Sequence, residues 1–200
     1  MQRVVYISHP QVAVDPDLAV DRWSLSDVGL LRARVAAGQT WLRSVRRIVS
    51  SSEVKAVETA AVLAGGLGLE VEVRDGIGEM NRSSTGFVPP AEFEALADAF
   101  FADPAHSVRG WERAVDAQRR VVAGLADLLT SDEDVAVVGH GGVGTLWWCH
   151  LAGVPISRRW DQPSQGNFFV VDTATSRPLR TWQPIDDLAT SPGGGAGLGE

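Results

Sequence analysis

Asp134-Val135-Ala136-Val137-Val138-Gly139-His140-Gly141-Gly142 is the stretch that decides the fold of this chain. A short β-rich apolar run ends in a turn of small residues, and the pattern over 143–151 then reads as a helix. The N-terminal segment repeats this grammar, with Val4-Val5-Tyr6-Ile7 running into Ser8-His9-Pro10. In open α/β sheets ligands bind in the crevice beyond the C-terminal ends of the strands. Two strand-end histidines in one domain therefore point to one shared site holding His9 and His140.

Working outward, strands are expected over 3–7, 47–50, 70–73, 134–138, and 167–172 with 179–182. Helical patterns fill 26–42, 52–63, 90–101, 111–129 and 143–151. This alternation predicts an α/β fold, a three-layer α/β/α sandwich around a mostly parallel sheet, with the last strands joined by a short turn as an antiparallel edge. A chain of 200 residues buries one full core, whereas two domains would each be small, so one domain is expected over 1–190. Residues 191–200, Ser-Pro-Gly-Gly-Gly-Ala-Gly-Leu-Gly-Glu, carry too little apolar surface to pack and read as a flexible tail.

The net charge of −7 argues against a sequence-independent nucleic-acid binder but leaves room for a local basic pocket that attracts phosphate. A single cysteine, Cys149, cannot form an intramolecular disulfide and fits a reducing compartment. Its neighbours Trp147, Trp148 and Leu151 mark it as a buried structural thiol. The first residues enter a strand-like run with no basic-then-apolar leader, and no stretch reaches 18 apolar residues. The expectation is a cytoplasmic protein without a membrane partner. Ser52 is expected to cap the second helix with Glu53 in its first turn, which places Lys55 near a helix N-terminus, where backbone donors favour an anion.

Taken in order, Ser8-His9-Pro10, Leu25-Ser26-Asp27-Val28-Gly29, the run from Ser50-Ser51-Ser52-Glu53-Val54-Lys55 to Ala60, Glu79, and Gly139-His140-Gly141-Gly142 resemble the histidine phosphatase (phosphoglycerate mutase-like) superfamily. The resemblance implies that His9 is a nucleophile forming a phosphohistidine, Glu79 a proton donor, and His140 and Lys55 phosphoryl-binding groups, with no cofactor. Two positions depart from the family pattern. Ser8 replaces the arginine of the usual Arg-His-Gly motif, with Pro10 in place of its glycine. Lys55 replaces the arginine of the Ser-Ser-x-x-x-Arg-Ala segment. A charge-assisted hydrogen bond is worth about 1.5 to 3 kcal/mol, so two missing guanidinium forks bear on phosphoryl affinity.

Arg82, three residues beyond Glu79, either supplies a missing fork or is a solvated loop residue. Ser8 offers a hydroxyl donor, and Gly139, Gly141 and Gly142 permit close backbone approach to an anion. The chemistry asks for an unprotonated His9 and favours a protonated His140, so their pKa values are expected to diverge. His106 reads as solvent-exposed and His150 as structural. Trp23, Phe87, Phe100, Phe101 and Trp111 are core residues or an apolar wall beside the site, whereas Phe93, Leu96 and Phe100 recur as a buried helical stripe.

Gly139 to Gly144 formally matches GxGxxG, but no strand-ending acid follows at the spacing a dinucleotide site needs. No GxSxG elbow occurs, and the four histidines are too scattered for a metal hydrolase. Three functions remain open. One is a phosphohydrolase acting on a phosphorylated small molecule or protein side chain, another a phospho-ligand-binding protein with weakened turnover, and the third a protein phosphohistidine phosphatase.

Overall fold

A computed structural model describes residues 2–187, so the tail expected over 191–200 and the end of the domain expected to reach 190 lie outside the described residues. The chain forms β1 (Arg3–Ser8), α1 (Asp27–Ala37), β2 (Val45–Ser51), α2 (Val54–Leu67), β3 (Val71–Arg74), α3 (Pro90–Ala102), α4 (Ala114–Leu125), β4 (Asp134–Gly139), α5 (Gly141–Ala152), β5 (Asn167–Asp172), β6 (Arg177–Pro178) and β7 (Gln183–Pro184). The strands make one sheet in the order β3-β2-β4-β1-β5-β6, with β7 also on β5. β1, β2, β3 and β4 pair in parallel, and β5 runs antiparallel to β1. This is the three-layer sandwich with an antiparallel edge that the alternation predicts.

Two-residue periodicity explains the layers. Val4 and Tyr6 of β1, with Val135 and Val137 of β4, pack on one face against Phe100, Val121, Leu125 and Trp147 of α3, α4 and α5. Val5, Ile7, Ala136 and Val138 turn to the other face and meet Ala36 of α1 and Ala56, Ala60 and Leu63 of α2. The alanines of α2 let that helix lie close to the sheet.

Several boundaries differ from the expected ones. The first helix ends at Ala37 instead of running to 42, because Gly38 closes it and a 3₁₀ turn over Thr40–Leu42 buries Trp41 and Leu42. Trp41 stacks on Phe168 with ring centroids 4.2 Å apart, an arrangement worth about 0.5 to 1.5 kcal/mol beyond area burial. The fourth helix begins at Ala114 and tightens to 3₁₀ over Ala126–Thr130. The strand expected over 179–182 is replaced by the two short strands β6 and β7, each ending in a proline that cannot donate to a ladder. Trp182 packs its ring at 4.8 Å from Phe169. Among the described residues no helix is long and apolar enough to cross a membrane.

Candidate active site

β1 and β4 are adjacent parallel strands with Ser8 opposite Gly139, so the residues that follow them emerge side by side at the C-terminal edge of the sheet. The His9 N–H donates to the Gly139 carbonyl at 3.0 Å, and the His9 and His140 rings lie 5.3 Å apart at 67°. His9 Nδ1 is 2.9 Å from the Pro10 carbonyl oxygen. A carbonyl only accepts, so this contact assigns the proton to Nδ1 and leaves the Nε2 lone pair free in the neutral ring.

Tyr6 fixes the other histidine, its hydroxyl donating to the His140 carbonyl at 3.0 Å and accepting from the His140 N–H at 3.1 Å. His140 Nε2 lies 2.7 Å from Ser51 Oγ and 3.4 Å from Glu53 Oε1. Burial lowers His9 to about 4, with the Lys55 charge acting the same way against the Pro10 hydrogen bond and Glu53. Burial lowers His140 further, to about 3, despite the Glu53 charge. The expected divergence of the two rings is therefore not found. Both are buried, desolvation penalises the charged form of each, and both are neutral near pH 7.

Glu53 is the residue that sequence reasoning missed. The ladder with β3 holds the strand conformation through Ser51, so α2 starts only at Val54 and Glu53, not Ser52, occupies the N-cap position. Its side chain caps nothing and turns into the site instead. Oε2 accepts from Lys55 Nζ at 2.5 Å, and Oε1 accepts from the Glu79 N–H at 2.8 Å. Burial raises the Glu53 carboxyl, but its contacts with His140, Lys55 and the Glu79 N–H outweigh that and hold it at about 2. Lys55 is buried and its Nζ also donates to the Val20 carbonyl at 2.8 Å.

Glu79 arrives from the turn after β3 and sits at the N-terminus of α5, accepting from the N–H groups of Gly142 at 3.2 Å and Val143 at 3.0 Å. A side chain at 142 would place its Cβ 2.8 Å from Glu79 Oε1, so glycine there makes room for the carboxyl. Burial, then the Glu53 charge, raise Glu79 to about 7 against the pull of the backbone donors. Arg120 braces this turn by donating to the carbonyls of Gly76, Gly78 and Glu79 while pairing with Glu112. Nothing in the sequence distinguishes Arg120 from its neighbour Arg119 on α4.

Arg82 is half-buried, with its guanidinium 4.9 Å from the Phe93 ring and 6.0 Å from the Trp23 ring. It makes no ion pair among the described residues. Ser8 faces inward, its Oγ 2.5 Å from Gln162 Oε1 and accepting from the Asn167 N–H at 3.0 Å. Gly141 opens α5, and a Cβ there would lie 2.2 Å from Gln162 Nε2. The close approaches at Gly139, Gly141 and Gly142 are made by Tyr6, Gln162 and Glu79 of this chain.

A cavity of about 790 Å³ unites these groups, lined by His9, Glu53, Lys55, Glu79, Arg82 and Gly141, with Trp23, Phe93 and Phe101 as its apolar wall. Phe93, read from its spacing as core, faces this cavity; Phe100 and Trp111 are buried in the core. His140 and Ser8 lie fully buried beneath the cavity surface. His106 and His150 are exposed and lie apart from it.

Residues 20–179 match the family model of the histidine phosphatase superfamily (branch 1), a stretch that begins after His9. Among solved structures, mycobacterial glucosyl-3-phosphoglycerate phosphatase in complex with inorganic phosphate is 22% identical with a TM-score of 0.77, covering 94% of this chain and 100% of that one. The alpha-ribazole phosphatase of Shigella flexneri is 19% identical with a TM-score of 0.73, covering 93% and 96%. The phosphoserine phosphatase of Entamoeba histolytica, in complex with 3-phosphoglyceric acid, is 16% identical with a TM-score of 0.72, covering 91% and 96%. These likenesses are of fold. No curated protein matches the sequence.

Proposed function

The chain belongs to the histidine phosphatase superfamily, branch 1, and from that premise we propose that it is a cofactor-independent phosphomonoesterase working through a phosphohistidine on His9. The observation that carries this reading is the Pro10 carbonyl bound to His9 Nδ1, which leaves Nε2 of a neutral, buried imidazole as a nucleophile.

His9 Nε2 attacks phosphorus, forming a P–N bond as the bond to the ester oxygen breaks. Glu79, still protonated at and below about pH 7, gives its proton to that leaving oxygen. Water then attacks phosphorus, Glu79 takes the proton back from it, and the P–N bond breaks to return His9 and release phosphate. Lys55, Arg82 and the N-terminal turn of α5 at Gly141 hold the phosphoryl charge, with His140 as a neutral partner beneath it. Ser8 acts through Gln162 and Asn167 as a positioning residue for the turn that carries His9.

The substrate is a phosphorylated small molecule or a phosphorylated protein side chain, met in the reducing cytoplasmic setting that the single buried Cys149 suits. A second reading, a phospho-ligand-binding protein with little turnover, is favoured by one observation: the Glu53 carboxylate already engages Lys55.

The test is hydrolysis of a chromogenic aryl phosphate without added metal by wild type and His9→Ala, with acid-stable and acid-labile phosphoenzyme separated after rapid quench. Turnover and an acid-labile phosphoenzyme, both lost in the variant, are expected. Turnover that survives in His9→Ala overturns the nucleophile, and phosphate binding without turnover establishes the second reading. A phosphohistidine peptide among the substrates separates a protein phosphohistidine phosphatase from a small-molecule enzyme.

A further inference from the structure

We propose that Glu53 fills the anion place of the phosphoryl pocket and makes this site select a phosphoryl group carrying one negative charge over one carrying two. The inference deepens the phosphotransfer reading above and rests on it.

Three groups that would serve a bound phosphoryl oxygen converge on this one carboxylate. Lys55 Nζ lies 2.5 Å from Oε2, while the Glu79 N–H at 2.8 Å and His140 Nε2 at 3.4 Å address Oε1. Lys55 Nζ also donates to the Val20 carbonyl. His140 lies fully buried beneath the cavity surface, whereas Glu53 lines it. The carboxylate thus stands where an incoming anion would meet the family's phosphoryl-binding groups.

Charge counting across the pocket gives the consequence. Facing Glu53 are Lys55 on its own helix, His9 after β1, His140 after β4, Glu79 and Arg82 after β3, and Arg120 on α4. The histidines are neutral, Lys55 is matched by Glu53, and Arg120 is matched by Glu112. Arg158, at the cavity rim, is matched by Glu94 and Asp98. Arg82 is the lining cation that no ion pair matches among the described residues, and the further lining carboxylates Asp21, Asp75 and Asp161 add no positive charge. One unmatched cation balances one negative charge. The second charge of a dianion enters beside Glu53 with no partner, and in a partly desolvated cavity an unpaired charge is strongly disfavoured. Selectivity arises here from a repulsive element inside the site.

The probe is inorganic phosphate, titrated calorimetrically into wild type, Glu53→Gln and Glu53→Asp at pH 5.5 and 8.0, on either side of its second ionisation. Wild type is expected to bind more weakly at pH 8.0. The Gln variant, similar in size and uncharged, gains at least about tenfold at pH 8.0, where a charge is removed next to a dianion, and clearly less at pH 5.5. The Asp variant keeps the charge and the wild-type pH preference. Because the Glu53 charge helps to raise Glu79, the three position-53 forms are also compared on a Glu79→Gln background, where the ratio between variants at one pH isolates position 53.

Equal gains at both pH values, no gain, or wild type preferring the dianion would each overturn the proposal. Should Glu53→Gln fail to fold by circular dichroism, the pH preference of Glu79→Gln and its retention in the Glu53→Asp/Glu79→Gln double variant decide the matter, since the Glu79 charge is then absent at both pH values. Aryl phosphate turnover on the same samples keeps the two readings apart. A Gln-dependent gain in phosphate binding without turnover supports the charge selection and removes the hydrolase, whereas turnover without that gain does the reverse.

Discussion

The Tyr6 hydroxyl closes on both backbone groups of His140, donating to its carbonyl at 3.0 Å and accepting from its N–H at 3.1 Å. Tyr6 is itself fully buried between Trp147 and Phe169, so one phenol locks the turn at the end of β4 to the neighbouring strand β1. Tyr6→Phe keeps the ring but strands the buried His140 N–H, while the His140 carbonyl retains the Gly144 N–H at 3.1 Å. The expected loss is about 1 to 3 kcal/mol in denaturant unfolding, and His140 is released from its fixed height, which lowers kcat. A variant as stable as wild type would show that the clamp contributes nothing.

In the proposed mechanism Glu79 and His9 are expected to set the pH dependence of turnover. Burial and the Glu53 charge hold Glu79 at about 7, and burial lowers His9 to about 4. The acid is protonated below about 7 and the nucleophile is free above about 4, so kcat is expected to plateau between them and fall about tenfold per pH unit above 7. In Glu79→Gln the proton donor is gone, and the alkaline limb disappears together with most of the rate. An alkaline limb that persists in Glu79→Gln would remove this residue as the acid.

Stability follows the same shifts with opposite signs. The folded pKa of Glu79 lies above its ordinary value of 4.5, so its contribution is complete below about 4.5 and is lost as pH rises through about 7. The folded pKa values of His9 and His140 lie below 6.5, so their contributions are present above 6.5 and are lost as pH falls toward about 4 and 3. Thermal scans are expected to show the melting temperature falling from pH 6.5 toward 4. Glu79→Gln should gain on wild type as pH rises from 5 to 8, and a difference that stays constant over that range would contradict the raised carboxyl.

Gly142 makes room for the carboxyl at the start of α5. An alanine Cβ would stand 2.2 Å from Met80 Cε and 2.8 Å from Glu79 Oε1. Both are ends of flexible chains that move at modest cost, so Gly142→Ala is expected to lose on the order of 1 kcal/mol while displacing the acid from its two backbone donors. kcat is expected to fall by at least about tenfold, within the reach of a misplaced general acid. The kinetic loss should exceed the change in melting temperature, and an unchanged kcat would show that Glu79 need not sit where it does.

Arg82 is expected to act in binding. Arg82→Lys keeps a charge but loses the planar fork that rests between Phe93 and Trp23. Steady-state kinetics should show KM for an aryl phosphate rising about tenfold or more, with a larger rise in Arg82→Ala. Kinetics identical to wild type in both variants would return Arg82 to the solvated loop that its sequence context also allows.

The fold was legible because it rests on local pattern: period-two apolar runs in 3–8 and 134–139, small residues after each, and helical stretches between. Boundaries were less so. Trp41 and Leu42 extend an apolar pattern past Gly38, yet they bury themselves through a 3₁₀ turn against Phe168, a partner more than a hundred residues away. Phe93 carries the spacing of a core residue, and only the packing of α3 across the cavity mouth turns it toward Arg82.

By itself the sequence determined the α/β sandwich and the pairing of His9 with His140, since two strand-end turns in one parallel sheet must share an edge. Only the tertiary structure decided the electrostatics of the site. Glu53 reads as an ordinary first-turn carboxylate until β2 extends through Ser51 and swings it onto Lys55, Glu79 and His140. Both histidines are neutral because the fold buries them together. Charge at a site depends on desolvation and on neighbours brought in from distant segments, and neither is encoded in any single stretch of the chain.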